Sequence, residues 1–248
     1  MKKKNLIRLF INTPLNSGSD AVLDEAQSHY LCHVMKAAAG DEILAFDNQN
    51  GEFLCRIREI KKKSTGIEVL QQTREFSRPA DIWLLFAPVK KDQTDFIIQK
   101  ATELGALKLI PVITRRTIAD KTKTERFKAQ AVEASEQCRR VDIPEISDAV
   151  SLASLLKNWN NKRRLYFMDE TLQGENIYKA FSTAKADGLS KAAILTGPEG
   201  GFDDNELELL RSCRFAEGVS MGKRILRAET AAAAALACWQ AIAGDWQD

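Results

Sequence analysis

Two successive rhythms along the chain predict an α/β protein in two parts, a small amino-terminal β-barrel followed by an α/β domain. Over the first 75 residues, short apolar runs recur between turn residues, the pattern of a small barrel. From Asp81 onward strands alternate with helical segments, which implies a mostly parallel sheet covered on both faces. The length of 248 residues suits two modest domains, expected over 1–75 and 80–248.

In the first part, Leu6 to Ile11 is strand-like, Asp24 to Met35 has helical spacing, and Gly40-Asp41 marks a turn. Glu42 to Phe46 leads into the hairpin-like Asp47-Asn48-Gln49-Asn50-Gly51, and Phe53 to Ile57 and Gly66 to Leu70 follow as strands. Gln71 to Pro79 is polar and reads as a linker, with Arg78 before Pro79 favouring extended backbone. In the second part the strands are Ile82–Ala87, Leu107–Val112, Arg164–Met168, Ala192–Leu195 and, more weakly, Phe215–Val219. Asp92 is expected to cap a helix whose face is Ile97, Ala101 and Leu104, ending at Gly105. Thr122 and Glu125 have capping-box spacing ahead of Phe127, Ala131, Ala134 and Cys138. Asp203 and Glu206 repeat that spacing, with Phe202 and Leu207 where a hydrophobic staple would sit. Ala228 to Ala243 is a continuous helix former stopped by Gly244, and its Ala231–Ala235 run reads as a closely packed face.

Composition removes several classes. At 44% hydrophobic and 28% charged residues the chain is ordinary for a globular protein. No uninterrupted apolar window of about 18 residues predicts a membrane span. The start, Met1-Lys2-Lys3-Lys4-Asn5, is basic but lacks the apolar core of a secretory signal. The five cysteines are scattered without CxxC spacing, which points to a reducing cytoplasm and away from zinc or a disulfide framework. With His29 and His33 as its only histidines, the chain is expected to hold no metal. Net charge is +2, yet Lys108 to Arg140 holds nine Lys or Arg against four acids, a local +5. Such a cluster is either a solvated helix face or a phosphate-contacting surface.

The chemistry gathers late in the chain. Ala192 to Leu195 ends in Thr196-Gly197-Pro198-Glu199-Gly200-Gly201, and Asp203 then opens a helix. Ligands of open α/β sheets bind beyond the carboxyl ends of strands, and three glycines here permit close backbone approach. Alone, this is equally an ordinary glycine-rich turn. A Walker loop is absent, and the glycine spacing is not that of a dinucleotide fingerprint. The second element, Ser220-Met221-Gly222-Lys223-Arg224-Ile225-Leu226-Arg227-Ala228-Glu229-Thr230, also follows a strand and enters a helix. Apolar Met221, Ile225 and Leu226 beside unpaired backbone donors at a helix start suit a purine, which needs face packing and edge hydrogen bonds.

These two segments closely resemble those of the SPOUT methyltransferases, and more narrowly the bacterial family (RsmE) that methylates uridine N3 in 16S ribosomal RNA. The resemblance covers nearly the whole chain. It includes Gln99-Lys100-Ala101-Thr102-Glu103-Leu104-Gly105, Pro111, Glu133 to Arg140, His29-Tyr30-Leu31, Val34 and Gly40-Asp41. It implies a PUA-like RNA-binding barrel, then a SPOUT α/β domain with a carboxy-terminal trefoil knot. It also implies a homodimer acting on 16S ribosomal RNA in the assembled small ribosomal subunit. The cofactor implied is S-adenosylmethionine, held by Leu195, Thr196, Gly197, Glu199, Gly200, Gly201, Ser220, Met221, Gly222, Ile225, Leu226 and Thr230.

Within that resemblance, Arg227 is the candidate for stabilising charge on the uridine carbonyls or orienting the cofactor carboxylate. Glu229 and Glu199 are candidate bases or hydrogen-bond acceptors, or residues that hold the loops in shape. Arg8 lies where the family tends to carry a basic residue for RNA. His33 and Lys36 stand where it often has arginine, and Lys91 where it often has glycine. Lys90, Lys91, Arg115, Arg116, Arg139 and Arg140 are candidate phosphate contacts. Two other readings remain: a SPOUT enzyme of another RNA, methylating ribose 2′-oxygen, and a non-catalytic ribosome-assembly factor. The whole-chain match weighs against the first, the intact glycines and Arg227 against the second.

Overall fold

The computed structural model describes residues 6–61, 64–118 and 123–247. Met1–Asn5, Asp120, Lys121 and the expected cap Thr122 lie outside them. The chain divides into two compact units, residues 1–78 with 135–143, and 79–134 with 144–248.

In the first unit β1 (Arg8–Phe10) and β2 (Asp20–Leu23) precede α1 (Glu25–His29), which continues as one π turn over Tyr30–Val34. Asp24 caps α1 in a complete box with Gln27. Then come β3 (Glu42–Asp47), β4 (Gly51–Ile60) and β5 (Thr65–Arg74). The strands form one sheet in the order β1-β3-β4-β5-β2, with β1 parallel to β3 and every other pair antiparallel. No ladder joins β1 to β2 among the described residues, so the expected barrel is a five-stranded sheet whose hydrogen bonding is left open. Alternate residues point inward, as the two-residue strand period requires: Ile43 and Ala45, Phe53, Cys55 and Ile57, Ile67 and Val69 share one core. Leu15, Leu23 and Leu31 pack on the same core. Burial among these groups pushes the Cys55 thiol up to about 12. β5 runs on to Arg74, through half of the expected linker, because Gln72 and Arg74 still pair with β4.

Arg8 is a buried charge of this unit. Its Nε donates to Glu52 at 2.6 Å, with the two side chains only 7% and 6% exposed. Nη1 donates to the Ser135 carbonyl at 2.7 Å, Nη2 to that of Arg140 at 2.6 Å, and the guanidinium lies over the Phe46 ring. Burial lowers its affinity for the proton, while the Glu52 carboxylate opposes that effect. Arg8 is therefore corrected from an RNA contact to an internal tie, because no face of its guanidinium is left for a phosphate. Arg140 is corrected likewise: it pairs with Asp142 at 2.7 and 2.8 Å, with both side chains buried.

The second unit alternates strands and helices. It runs β6 (Asp81–Phe86), α2 (Lys91–Glu103), β7 (Lys108–Ile113), α3 (Thr124–Cys138), β8 (Glu145–Ile146), β9 (Val150–Ser151) and α4 (Leu152–Lys157). Then follow β10 (Arg164–Met168), β11 (Glu175–Asn176), α5 (Ile177–Ala186), β12 (Lys191–Thr196), α6 (Asp204–Ser212), β13 (Ala216–Ser220) and α7 (Ala228–Ile242). The residues of α3 from Ser135 on count with the first unit. All strand pairs are parallel, in the order β11-β13-β10-β12-β6-β7-β8, with β9 beside β7.

One face of this sheet is a core of Leu85, Leu165, Phe167, Ala193 and Leu195 against Leu152, Leu207 and Leu210 of α4 and α6. On the other, Tyr166 of β10 packs against Phe181 of α5 and Trp239 of α7. Ala231, Ala232 and Ala235 are buried in α7, where small side chains let helix and sheet approach. The Asp203–Glu206 box forms with both of its hydrogen bonds. The expected Asp92 cap does not: the helix begins two residues earlier than that cap implies, so Lys90 holds the cap position and Asp92 falls in the first turn. There its charge still complements the helix dipole. Among the described residues, no helix is long and apolar enough to cross a membrane.

Removing one partner of a buried ion pair strands the other charge. Arg8→Ala should therefore cost about 3–5 kcal/mol, read as a shift of the urea midpoint. Arg56→Ala, which breaks an exposed pair with Glu42, should cost under about 1 kcal/mol. Equal small shifts for both would show that the Arg8 network is not a stabilising tie.

Candidate active site

β10 lies between β12 and β13 and is parallel to both. Their carboxyl ends therefore meet at one edge, and each strand's following loop carries backbone groups that no ladder pairs. The loops 196–203, 221–227 and 169–172 wall a cleft of about 660 Å³, which the start of α2 joins through Lys90 and Gln93.

Of the residues expected to hold a cofactor, the cleft gathers Thr196, Gly197, Glu199, Gly200, Gly201, Met221, Gly222, Ile225 and Leu226. Arg227, Glu229 and Glu199, the catalytic candidates, line the same space. Three expected residues do not. Leu195 is fully buried and packs into the α4/α6 core, because successive strand residues face opposite sides and Thr196 takes the cleft side. Ser220 and Thr230 are not among the lining residues, and Thr230 is exposed on the first turn of α7.

Arg227 holds the cap position of α7 with no side-chain cap hydrogen bond, and its side chain is exposed. Gly222 has φ of +98°, a left-handed conformation that side chains resist, where the β13 loop turns. The Thr196 hydroxyl is buried and has no hydrogen-bond partner. A buried polar atom without a partner is costly, so a polar group of a ligand in the cleft fits it. The apolar wall of Met221, Ile225 and Leu226 fits the face of a base.

Sequence reasoning missed Asp169 and Glu170, which line the cleft just beyond β10. The strand itself was recognised; the rule that sites follow the carboxyl ends of strands pointed at its next two residues. Asp169, its side chain 2% exposed, accepts from Thr171 N–H at 2.9 Å, Thr171 Oγ1 at 2.6 Å and Arg211 at 3.0 Å. Burial raises the Asp169 carboxyl, but these hydrogen bonds from Thr171 and Arg211 outweigh it and hold the group below the ordinary carboxylate value. Glu170 goes the other way: burial, reinforced by Asp169, pushes it up despite the hydrogen bond from the Phe202 N–H.

The phosphate candidates separate by their surroundings. Lys90, Lys91 and Arg115 are exposed, and Lys91 pairs with Asp95 at 3.1 Å. Arg116 is exposed but donates to the carbonyls of Gly200 and Phe202. In the first unit His33, Lys36 and Arg139 are exposed, His33 with its ring 4.6 Å from that of His29.

Residues 76–240 match the family model of the RNA methyltransferase domain, and residues 23–69 that of the RNA methyltransferase PUA domain. Ribosomal RNA small subunit methyltransferase E of Rickettsia conorii is 33% identical over 231 residues, 93% of each chain. That of Bacillus subtilis is 32% identical over 215 residues, 82% of each chain. A solved Legionella pneumophila structure, described as a methyltransferase with its bound cofactor SAM, matches with a TM-score of 0.87 and 27% identity, covering 97% of this chain and 99% of that one. Ribosomal RNA small subunit methyltransferase E of Neisseria gonorrhoeae bound to S-adenosylmethionine matches with a TM-score of 0.85 and 25% identity, covering 97% and 99%. Fold, cleft and matches define an RNA methyltransferase carrying a PUA domain. The chain belongs to the ribosomal RNA small subunit methyltransferase E family.

Because the folded state holds Asp169 below its unfolded value of about 3.9, its stabilisation is present above that value and is lost as pH falls through the folded one. Asp169→Asn should lower the melting temperature at pH 7, and the gap from the unchanged protein should narrow towards pH 3. A gap independent of pH would show that the charge of Asp169 is not what the fold uses.

Proposed function

We propose that this protein transfers the methyl group of S-adenosylmethionine to N3 of a uridine in 16S ribosomal RNA, within the assembled small subunit in the cytoplasm. The observation that carries the reading is the cleft itself. It joins an unpartnered buried hydroxyl, an apolar wall and a free guanidinium in a chain whose relatives are named for this RNA. S-adenosylmethionine, when bound, supplies a methyl group activated by its positive sulfur.

The residues of this chain have three tasks in that reaction. Met221, Ile225 and Leu226 would pack the adenine face, and the Thr196 hydroxyl would take a polar partner of the cofactor. Glu199 or Glu229 would accept the N3 proton, directly or through water, which frees the nitrogen lone pair to take a methyl group. Arg227 stabilises the negative charge that N3 deprotonation spreads onto the uracil carbonyl oxygens. Lys90, Lys91, Arg115, Lys36 and Arg139 remain exposed cations suited to phosphate, and His33 is an exposed imidazole that can donate a hydrogen bond to one.

The carboxy-terminal segment supports a trefoil knot. From β13, on the far side of β10 from β12, the chain enters α7, which packs on β12, β6, α2 and α5. A knot there would be a rare exception among folds. In this reading the protein acts as a homodimer, as its resemblance to the family implies.

Ribosomal RNA from cells lacking this protein should have lost one N3-methyluridine from its 16S species, read by mass mapping. An unchanged methylation pattern would overturn the assignment. Arg227→Ala should lower kcat by about 100- to 1,000-fold, as loss of one charge-stabilising donor does, with cofactor at saturation. Full turnover under those conditions would remove Arg227 from the chemistry.

A further inference from the structure

The glycines of the β12 loop do not all face the cleft. A Cβ on Gly201 would collide with the Glu170 carboxylate, and one on Gly200 would lie 3.3 Å from Cδ of Arg116. Space that looked reserved for a ligand is occupied by two charged side chains of the protein.

Both side chains bind the loop backbone. Arg116 Nη1 donates to the Gly200 carbonyl at 2.6 Å and to that of Phe202 at 3.3 Å. Glu170 Oε1 accepts from the Phe202 N–H at 2.9 Å. Gly201 between them has φ of +69°, and its N–H closes a turn on the Pro198 carbonyl at 2.9 Å. A cation thus holds two carbonyls of a three-residue segment and an anion holds its amide.

Each jaw is itself anchored. Arg116 lies in a turn closed by the Thr114 N–H to Thr117 Oγ1 bond at 2.9 Å. That turn docks through the Arg115 N–H on Glu206 Oε1 at 2.8 Å, and Glu206 also completes the cap of α6. Glu170 follows Asp169, which Thr171 and Arg211 fix in place. In the sheet order β10-β12-β6-β7, the two jaws come from the ends of β10 and β7, on either side of the β12 loop.

We propose that Arg116 and Glu170 are positioning residues, a charged clamp that sets the backbone of Gly200–Phe202 in its cofactor-binding conformation. This rests on the methyltransferase reading above. Arg116 then acts on RNA methylation through the cofactor loop rather than as a phosphate contact. Holding a loop in its bound conformation removes part of the ordering cost of binding, so its loss appears as weaker cofactor affinity.

The test is calorimetric titration of the full-length protein with S-adenosylmethionine, without RNA, together with hydrogen exchange of the cofactor-free protein. Arg116→Ala and Glu170→Ala should each weaken binding by about tenfold, the size expected when one or two residues must be ordered anew. Both should speed exchange at the Gly201 and Phe202 amides. The double variant should lose less than the product of the two, because both jaws hold one segment. Glu170→Gln keeps an acceptor and should recover most of the affinity, and Arg116→Lys should recover part of it, so a poorly folding alanine variant does not end the test. Unchanged affinity in the alanine variants, or fully multiplicative losses, would overturn the clamp. Failure of the unaltered protein to bind S-adenosylmethionine would instead overturn the methyltransferase reading.

Discussion

Parallel pairing is the constraint from which the site follows. In a parallel sheet every strand leaves at the same edge, so the order of strands decides which loops become neighbours. Here β10 separates β12 from β13, and β6 and β7 lie beyond β12. A loop from β12 is therefore flanked by residues following β10 on one side and β7 on the other, while the β13 loop closes the cleft from across β10. None of those segments is near the others in sequence. Helices on both faces keep the edge rigid: α4 and α6 cover one core, α5 and α7 the other.

Arginine serves two opposite ends in this chain. Arg163 is buried, with its guanidinium 3.6 Å above the Trp83 ring, and donates to the Asp81 and Ala192 carbonyls and to the Asp81 carboxylate. Arg8 does the same in the first unit against Glu52 and two carbonyls. A guanidinium has five donors in a plane and stays charged when desolvated, so it can satisfy several carbonyls at once where lysine could not. Arg227 and Arg115 share that chemistry but are exposed. What separates the two uses is whether carbonyls and an acid converge on the side chain, a property of tertiary structure alone.

That difference explains what was legible in the sequence. Local patterns read well. The Asp203–Glu206 box needs only a spacing of three, and the strands at Arg164–Met168 and Ala192–Leu195 are apolar runs bounded by turns. Both glycine-bearing loops of the cleft were found because each follows such a run. Readings that depended on convergence failed: Arg8 and Arg140 looked like any basic residues, and Leu195 looked like part of the loop it precedes. Strand β2, Asp20–Leu23, was passed over because it is an edge strand with a single buried residue, Leu23, and so shows no apolar alternation. Gly200 and Gly201 line the cleft as expected, while the space left by their missing Cβ atoms is taken by side chains of the protein. A missing Cβ says that something comes close, and only the fold says that the near neighbours are Arg116 and Glu170.

Exposure of the catalytic candidates bears on how the proposed reaction is kept in check. Arg227 and Glu199 are exposed and Glu229 is half-buried. In water a guanidinium about 4 Å from an anionic oxygen gains about 1 kcal/mol, against about 4 kcal/mol at an effective dielectric of 20. Charge stabilisation large enough to drive methyl transfer therefore requires water to leave. Under the proposed function, cofactor packed on Met221 and Leu226 would dry one wall, and the guanidinium would still face solvent until a base covers it. Under the proposed function, the RNA is then both substrate and the last wall of the site. The electrostatic contribution switches on when the correct partner docks, and a cofactor held without RNA sits beside groups too well hydrated to catalyse its loss to water.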